Sequence, residues 1–385
     1  MAKRLNQALG VDIGTHSMKI AAVRMADTPV VSALGVSPTP PNTCDHTGIF
    51  DPKTLGAALR ALVGETGVGV KDAIFCINGQ SSVVVRNLEV PKMSDAELRE
   101  HMGWEIQRNI PFAESTVVSD YRPIPNPNLD ATQNMEVVMA VSPQSAVEAV
   151  VELVRGAGLK PAAIDVEPLG LGRVILSCHQ SDLATKNVCL VHVGHSVTSI
   201  NMYRQGILAF PRTVPLGSAF WTKAISENLG VGADEAENMK LNAVIPDTAG
   251  GVGATVQAYN PFAPSASEPD EQTQAPAPAP APDTGDSRVY QAMVPQLEEF
   301  VAEIRRSIDY YQSRGGQVDE LVVSGGGSLL KGLDSFLGRS LGLPVSRLNP
   351  LQGIGVEAPG AETLAGGLAS QYATAIGMGL YIAYD

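Results

Sequence analysis

Gly10-Val11-Asp12-Ile13-Gly14-Thr15-His16-Ser17-Met18-Lys19 reads as a short strand running into a hairpin turn. Val11 and Ile13 are apolar on either side of the acidic Asp12, Gly14 lets the backbone turn, and Thr15, Ser17 and Lys19 supply two hydroxyls and a cation. Backbone N–H groups and hydroxyls around such a turn can cradle a phosphate, which Lys19 can neutralise, while Asp12 can hold a magnesium ion through water. Taken alone, the stretch reads equally well as an ordinary buried strand and turn. The surrounding sequence has to decide.

A chain of 385 residues is too long for one compact core, so two domains are expected. A net charge of −13 argues against wrapping nucleic acid and against lying unaided on an anionic membrane. Cys44, Cys76, Cys178 and Cys189 are dispersed, with no C-x-x-C pair and no secretory stretch ahead of them, and read as reduced structural thiols of a cytoplasmic protein. No apolar run has the length of a membrane span, so any membrane association is expected through a partner.

Outward from the first stretch, a strand continues over Lys19 to Met25 and gives way to a meander through Pro38, Pro40 and Pro41. A helix over about 51–64 carries Leu55, Ala58, Leu59 and Leu62 on one face, followed by the buried strand Asp72 to Gly79 and an alternating strand at Val83 and Val85. Between about 88 and 160, Ser94 and Glu97 form a capping box ahead of Leu98, Met102 and Ile106 at helical spacing. Strands near Val117 to Tyr121 and Met135 to Val141, a helix over Gln144 to Arg155, and flanking strands at Val83 to Val90 and Ala162 to Val166 complete a split βαβ order. This predicts a small α+β insert. Trp104-Glu105 and Ile110-Pro111-Phe112 at the end of its first helix read as core packing, or else as an exposed apolar edge for a peptide. Next, Ile164-Asp165-Val166-Glu167-Pro168-Leu169 brings Glu167 to a strand's C-terminal end, where α/β sites place their chemistry, and makes it the candidate catalytic base.

The opening design then repeats. Val188 to Val193 is followed by Gly194-His195-Ser196 and by Val197 to Tyr203, so two similar halves can grip one nucleotide from both sides. Glu237 and Lys240 stand three apart on one face of a predicted helix. Ser324-Gly325-Gly326-Gly327-Ser328 follows the buried strand Leu321-Val322-Val323; its glycines permit close approach to a flat ligand, and a following helix would aim its positive N-terminus at phosphates. The Pro- and Ala-rich segment of about 246–288 cannot bury a core and reads as an exposed, semi-rigid insertion. Met293, Leu297, Phe300, Ile304 and Ile308 mark one stripe of a long helix, and Gly377 and Gly379 allow a last helix to pack tightly on the first sheet. His192 and His195 fall short of a metal site's ligand count.

Together these motifs resemble the actin-like nucleotide-binding superfamily, and within it the PilM family of the type IV pilus inner-membrane platform. The resemblance implies an actin-like (ribonuclease H-like) two-domain α/β fold with an α+β insert in the first domain. Its parts would be residues 1–185, with the insert at about 88–160, then 186–365, and 366–385 as a C-terminal helix packed back on the first domain. It implies binding of ATP or ADP with Mg2+, the ion held by Asp12 through water. Gly14, Thr15, Ser17 and Lys19 of the first hairpin, with Gly194, His195 and Ser196 of the second, would hold the phosphates. Glu237 and Lys240 would contact the ribose, and Gly325, Gly326 and Gly327 the adenosine. The superfamily's second hairpin usually carries Asp where this chain has His192, so slow or absent hydrolysis is expected. The implied partners are the N-terminal cytoplasmic peptide of the inner-membrane protein PilN, bound in a groove between insert and first core domain, together with other platform proteins and assembly ATPases. Self-association stays open. The alternative within the superfamily is a small-molecule kinase or an active ATPase with Glu167 as base. Nothing amphipathic follows Asp385, which counts against FtsA, a relative that ends in a membrane-binding helix.

Overall fold

The computed structural model describes residues 5–109, 116–129, 132–247, 285–364 and 367–384. In the first half, β1 (Gln7–Ile13), β2 (Ser17–Met25), β3 (Pro29–Pro38), α1 (Pro52–Glu65) and β4 (Asp72–Ile77) follow one another. Then come β5 (Val84–Pro91), α2 (Asp95–Asn109), β6 (Val117–Ile124), β7 (Asn134–Pro143), α3 (Gln144–Gly156), β8 (Lys160–Val166) and α4 (Glu167–Cys178). The second half contains β9 (Asn187–Val193), β10 (Thr198–Arg204), β11 (Ile207–Val214), α5 (Ser218–Leu229), α6 (Ala233–Asn242) and α7 (Gly285–Ser313). It continues with β12 (Glu320–Ser324), α8 (Leu333–Leu341), β13 (Val345–Arg347), β14 (Gly355–Val356) and α9 (Ala373–Gly379).

Two sheets share one plan. The first runs β14-β3-β2-β1-β4-β8 and the second β11-β10-β9-β12-β13. In each, a central strand has an antiparallel hairpin partner on one side and parallel strands on the other. The period-2 alternation of β1 sends Leu9, Val11 and Ile13 into a core with Leu55 and Leu59 of α1 and Val150 and Leu153 of α3. Ala8, on the opposite face, joins α4 and α9. That same core takes Val188 and Leu190 of β9, so α4 and α9 lie where the two sheets meet. The other face of the second sheet packs Val191 and Val193 against Trp221 of α5 and the stripe Met293, Leu297, Phe300 and Ile304 of α7. Trp221 is buried, its ring edge-on to Phe300 at 5.6 Å.

Three readings of secondary structure change. The meander expected after Met25 is instead the strand β3. Val30 and Val31 are both buried and the β2–β3 register shifts between Ala22 and Val23, which breaks the alternation by which a strand is recognised. The split βαβ unit does not form: α3 packs on α1, and β8 runs parallel to β4, pairing Ile77 with Val166. The insert sheet is therefore β5-β7-β6 alone, covered by α2 through Leu98 and Met102, with the predicted Ser94–Glu97 capping box in place. Third, the glycine loop opens into one 3-10 turn over Gly326–Leu329, and α8 begins only at Leu333. On α2, Trp104 stands 69% exposed, against the core-packing reading. Ile110-Pro111-Phe112 and the Pro- and Ala-rich repeat lie outside the described residues.

Candidate functional site

The hairpins β1–β2 and β9–β10 are built alike. Gly14 N–H donates to Ser17 O at 3.1 Å, and Gly194 N–H donates to Val197 O at 2.9 Å. A Cβ at either glycine would lie under 3 Å from that same carbonyl oxygen, which is why glycine serves at both turns. The tips meet across a cleft: Thr15 Oγ1 and Ser196 Oγ are 2.8 Å apart, and the His16 and His195 rings 4.9 Å between centroids.

Of the residues singled out from the sequence, Asp12, Gly14, Thr15, Ser17, Lys19, Glu167, Gly194, His195, Ser196, Glu237, Lys240, Gly326 and Gly327 all line this one cleft. Gly325 does not; its positive φ of 84° and close approach to the Val193 backbone make it a packing residue of the loop. Sequence reasoning missed Asn78, Ser199, Ser218, Leu241 and Gln371 as lining residues. Asn78 follows the C-terminal end of β4, a position that the strand-end rule can find. Gln371, in a 3-10 turn near the C-terminus, carries no such signal.

Electrostatics divide the cleft. At its floor Asp12 is buried beside Lys19, its cross-strand neighbour in the β1–β2 register. Burial raises the Asp12 carboxyl, and the charge of Lys19 only partly opposes this. Glu167 begins α4, and the Ser199 hydroxyl donates to it; burial still pushes its carboxyl up to about 7. His192 Nε2 lies 3.9 Å from Glu167, and its Nδ1 is 3.3 Å from Ser324 Oγ. Burial lowers this imidazole to about 4, so it is neutral at pH 7. Lys19 Nζ donates to Ser17 Oγ at 2.8 Å, which aims the cation at the first turn.

On the far side, Lys240 Nζ donates to Glu237 at 2.7 Å and to Thr222 at 2.9 Å, while Thr222 donates to Glu237 at 2.6 Å. Burial pushes the Glu237 carboxyl up, but these bonds outweigh it and hold it below its ordinary value. No group of three or more His, Cys, Asp and Glu side chains converges as a metal site among the described residues. Buried Asp12 and part-buried Glu167 with one lysine do suit a hydrated magnesium ion, which binds through one or two carboxylates, waters and phosphates.

A second cavity, of about 340 Å³, opens where the insert meets the body. Its walls include Asp120 and Arg122 of β6, Ala140 of β7, Arg173 of α4, Ile207 of β11 and Tyr381. Arg173 pairs with Asp165 and lies over the Tyr381 ring, 5.0 Å from its centroid. No helix among the described residues is long and apolar enough to cross a membrane.

A family model described as Type IV pilus assembly protein PilM matches residues 10–262, and one for cell division protein FtsA matches residues 189–377. Among curated proteins, the chain is 23% identical to FtsA of Neisseria meningitidis over 257 residues, 60% of this chain and 60% of that protein. It is 25% identical to FtsA of Porphyromonas gingivalis over 260 residues, 61% of this chain and 53% of that protein. The chain thus spans only 60% and 53% of the length of these curated relatives. Among solved structures, it is similar to a PilM-PilN type IV pilus biogenesis complex at TM-score 0.77 and 25% identity, covering 99% of both chains. It is also similar to the ethanolamine utilization protein EutJ from Carboxydothermus hydrogenoformans, at TM-score 0.56, 14% identity and coverage of 98% and 92%. MreB 5 of Spiroplasma citri bound to AMPPNP matches at TM-score 0.50, 11% identity and coverage of 98% and 96%. At such identities the likeness of these last two is one of fold, and the fold is actin-like.

Proposed function

This chain belongs to the family of type IV pilus assembly protein PilM, and from that premise we propose that it is an ATP-binding scaffold that holds the N-terminal cytoplasmic peptide of PilN in a nucleotide-dependent way. The observation that carries the nucleotide half is the pair of matched glycine hairpins facing the Glu237–Lys240 pair and Gly326–Gly327 across one cleft. Hairpin N–H groups and the Thr15 and Ser196 hydroxyls would receive phosphate oxygens, Lys19 would neutralise them, and Glu237 with Lys240 would meet the ribose. Asp12 and Glu167 would hold the water shell of Mg2+, which when bound adds positive charge beside the phosphates.

The peptide half rests on the second cavity, whose volume of about 340 Å³ and mixed apolar and charged walls suit an extended segment. PilN is the partner in the solved complex that this chain resembles over 99% of its length. Association with the inner membrane and with other platform proteins would follow from PilN.

Calorimetry with ATP and ADP, and nucleotide extraction from the purified chain, test the first half. Asp12→Ala is expected to abolish retention; a variant that still copurifies with nucleotide would sink the role given to Asp12. Turnover is the second reading. It is favoured by Glu167, which sits in the cleft near neutral pKa as a proton acceptor. Neutral His192 opposes it, because an imidazole cannot replace a second-hairpin carboxylate in holding magnesium-bound water. Multiple-turnover ATP hydrolysis would decide for the enzyme.

A further inference from the structure

One buried carboxylate joins the insert to the second half. Glu136 of β7 is only 7% exposed and accepts hydrogen bonds from Arg204 Nη2, Asn87 Nδ2 and Asn126 Nδ2, each at 2.8 Å. The cluster also reaches backbone on both sides: Asn87 Nδ2 donates to Leu208 O at 2.8 Å, and Arg204 Nη2 donates to Pro125 O at 3.0 Å. Glu136, Asn87 and Asn126 belong to the insert, whereas Arg204 and Leu208 belong to the β10–β11 hairpin. A carboxylate so deeply buried holds its place only while its cation and amides stay with it.

The position of that hairpin gives the cluster a role. β10 starts at Thr198 and Ser199, where Ser199 reaches Glu167 in the cleft, and ends at Arg204. Six residue steps at about 3.4 Å put its ends roughly 20 Å apart, as one extended strand held on both sides by β9 and β11. Tyr203, Gly206, Ile207 and Leu208 form one wall of the groove, and β5, β6 and β7 of the insert another. No phosphate fits between hydroxyls 2.8 Å apart, so a nucleotide whose phosphates enter between the hairpin tips must part Thr15 from Ser196, and any opening beyond a turn of these two side chains moves one half against the other.

We propose that the Glu136–Arg204–Asn87 cluster transmits that movement, carrying the insert with the β10–β11 hairpin so that nucleotide in the cleft sets the shape of the groove. The inference deepens the peptide-binding reading of that groove and rests on it for its consequence. Its residues act through position and touch neither ligand.

The test uses the full chain, Glu136→Gln and Arg204→Met, with Arg204→Lys as the charge-keeping control. Hydrogen exchange of β6 and β7 is followed with and without AMPPNP, and the affinity of a dye-labelled synthetic PilN N-terminal peptide is measured in both states. In the wild type, AMPPNP is expected to change exchange in β6 and β7 and to tighten the peptide by about tenfold, within the usual range of site coupling. In Glu136→Gln and Arg204→Met, AMPPNP should bind as before while the exchange response disappears and the affinity ratio falls towards one; Arg204→Lys should keep part of both. A full response in the two variants, or none in the wild type with AMPPNP bound, overturns the inference. A wild type that shows the exchange response and never binds the peptide overturns the PilN reading and leaves the mechanical link standing. Failure to bind AMPPNP at all, seen directly by calorimetry, overturns both.

Discussion

Glu167 and His192 face each other at 3.9 Å and answer pH in opposite senses. With its folded value at about 7 against an ordinary 4.5, Glu167 keeps in the folded chain a proton that the unfolded chain has released. Its contribution to stability therefore falls as pH rises from about 4.5 to 7. His192, at about 4 against 6.5, lacks in the folded chain a proton that the unfolded chain holds, so its contribution rises over roughly pH 4 to 6.5. The two slopes oppose each other across most of this window. Glu167→Gln removes one of them: the variant should exceed the wild type by about 3 kcal/mol at pH 8, converge with it near pH 4.5, and lose stability on acidification below pH 6.5. Urea unfolding at pH 4.5, 6.5 and 8 measures this, and a wild type and variant that run parallel would contradict it.

At the scale of elements, the crossing of α9 over β1 and α4 sets the tightest steric demand. A Cβ on Gly377 would lie 2.3 Å from Gly170 O, and one on Gly10 would lie 1.9 Å from Ala375 O. Both obstacles are backbone atoms, which cannot swing aside as a side chain can. Gly377→Ala is expected to cost about 3 kcal/mol in urea unfolding, whereas Gly64→Ala, on an open face of α1 with nothing within 4 Å, should gain about 0.5 kcal/mol. Elements with a clean period were legible in the sequence: α1 with Leu55, Leu59 and Leu62, the capped α2, and both hairpins with their glycine and hydroxyl pattern. β3 was not, because adjacent buried valines hide its period. Nor was the place of β8, since Ile164 and Val166 suit either sheet and only the pairing with β4 decides. In the site, the charged and glycine residues announced themselves by type and spacing. Ser218 and Gln371 are ordinary polar residues that matter only because distant segments converge.

Over the whole molecule, two copies of one sheet plan put one cleft at the hairpin tips and leave a separate groove beneath the insert. Separate cavities mean separable losses. Ala140→Arg, which fills the groove, should abolish binding of the PilN peptide in fluorescence anisotropy and leave retained nucleotide unchanged; a loss of both would mean that the two sites are not distinct. The chain's two tryptophans divide between these regions: Trp104 stands in solvent on the insert helix, and Trp221 lies edge-on to Phe300 inside the second half. Their emission should therefore be resolved in colour, red-shifted and quenched by iodide from Trp104, blue-shifted and protected from Trp221. The native chain thus carries its own two-colour optical gauge, able to tell melting of the second half from a change at the insert without any attached dye.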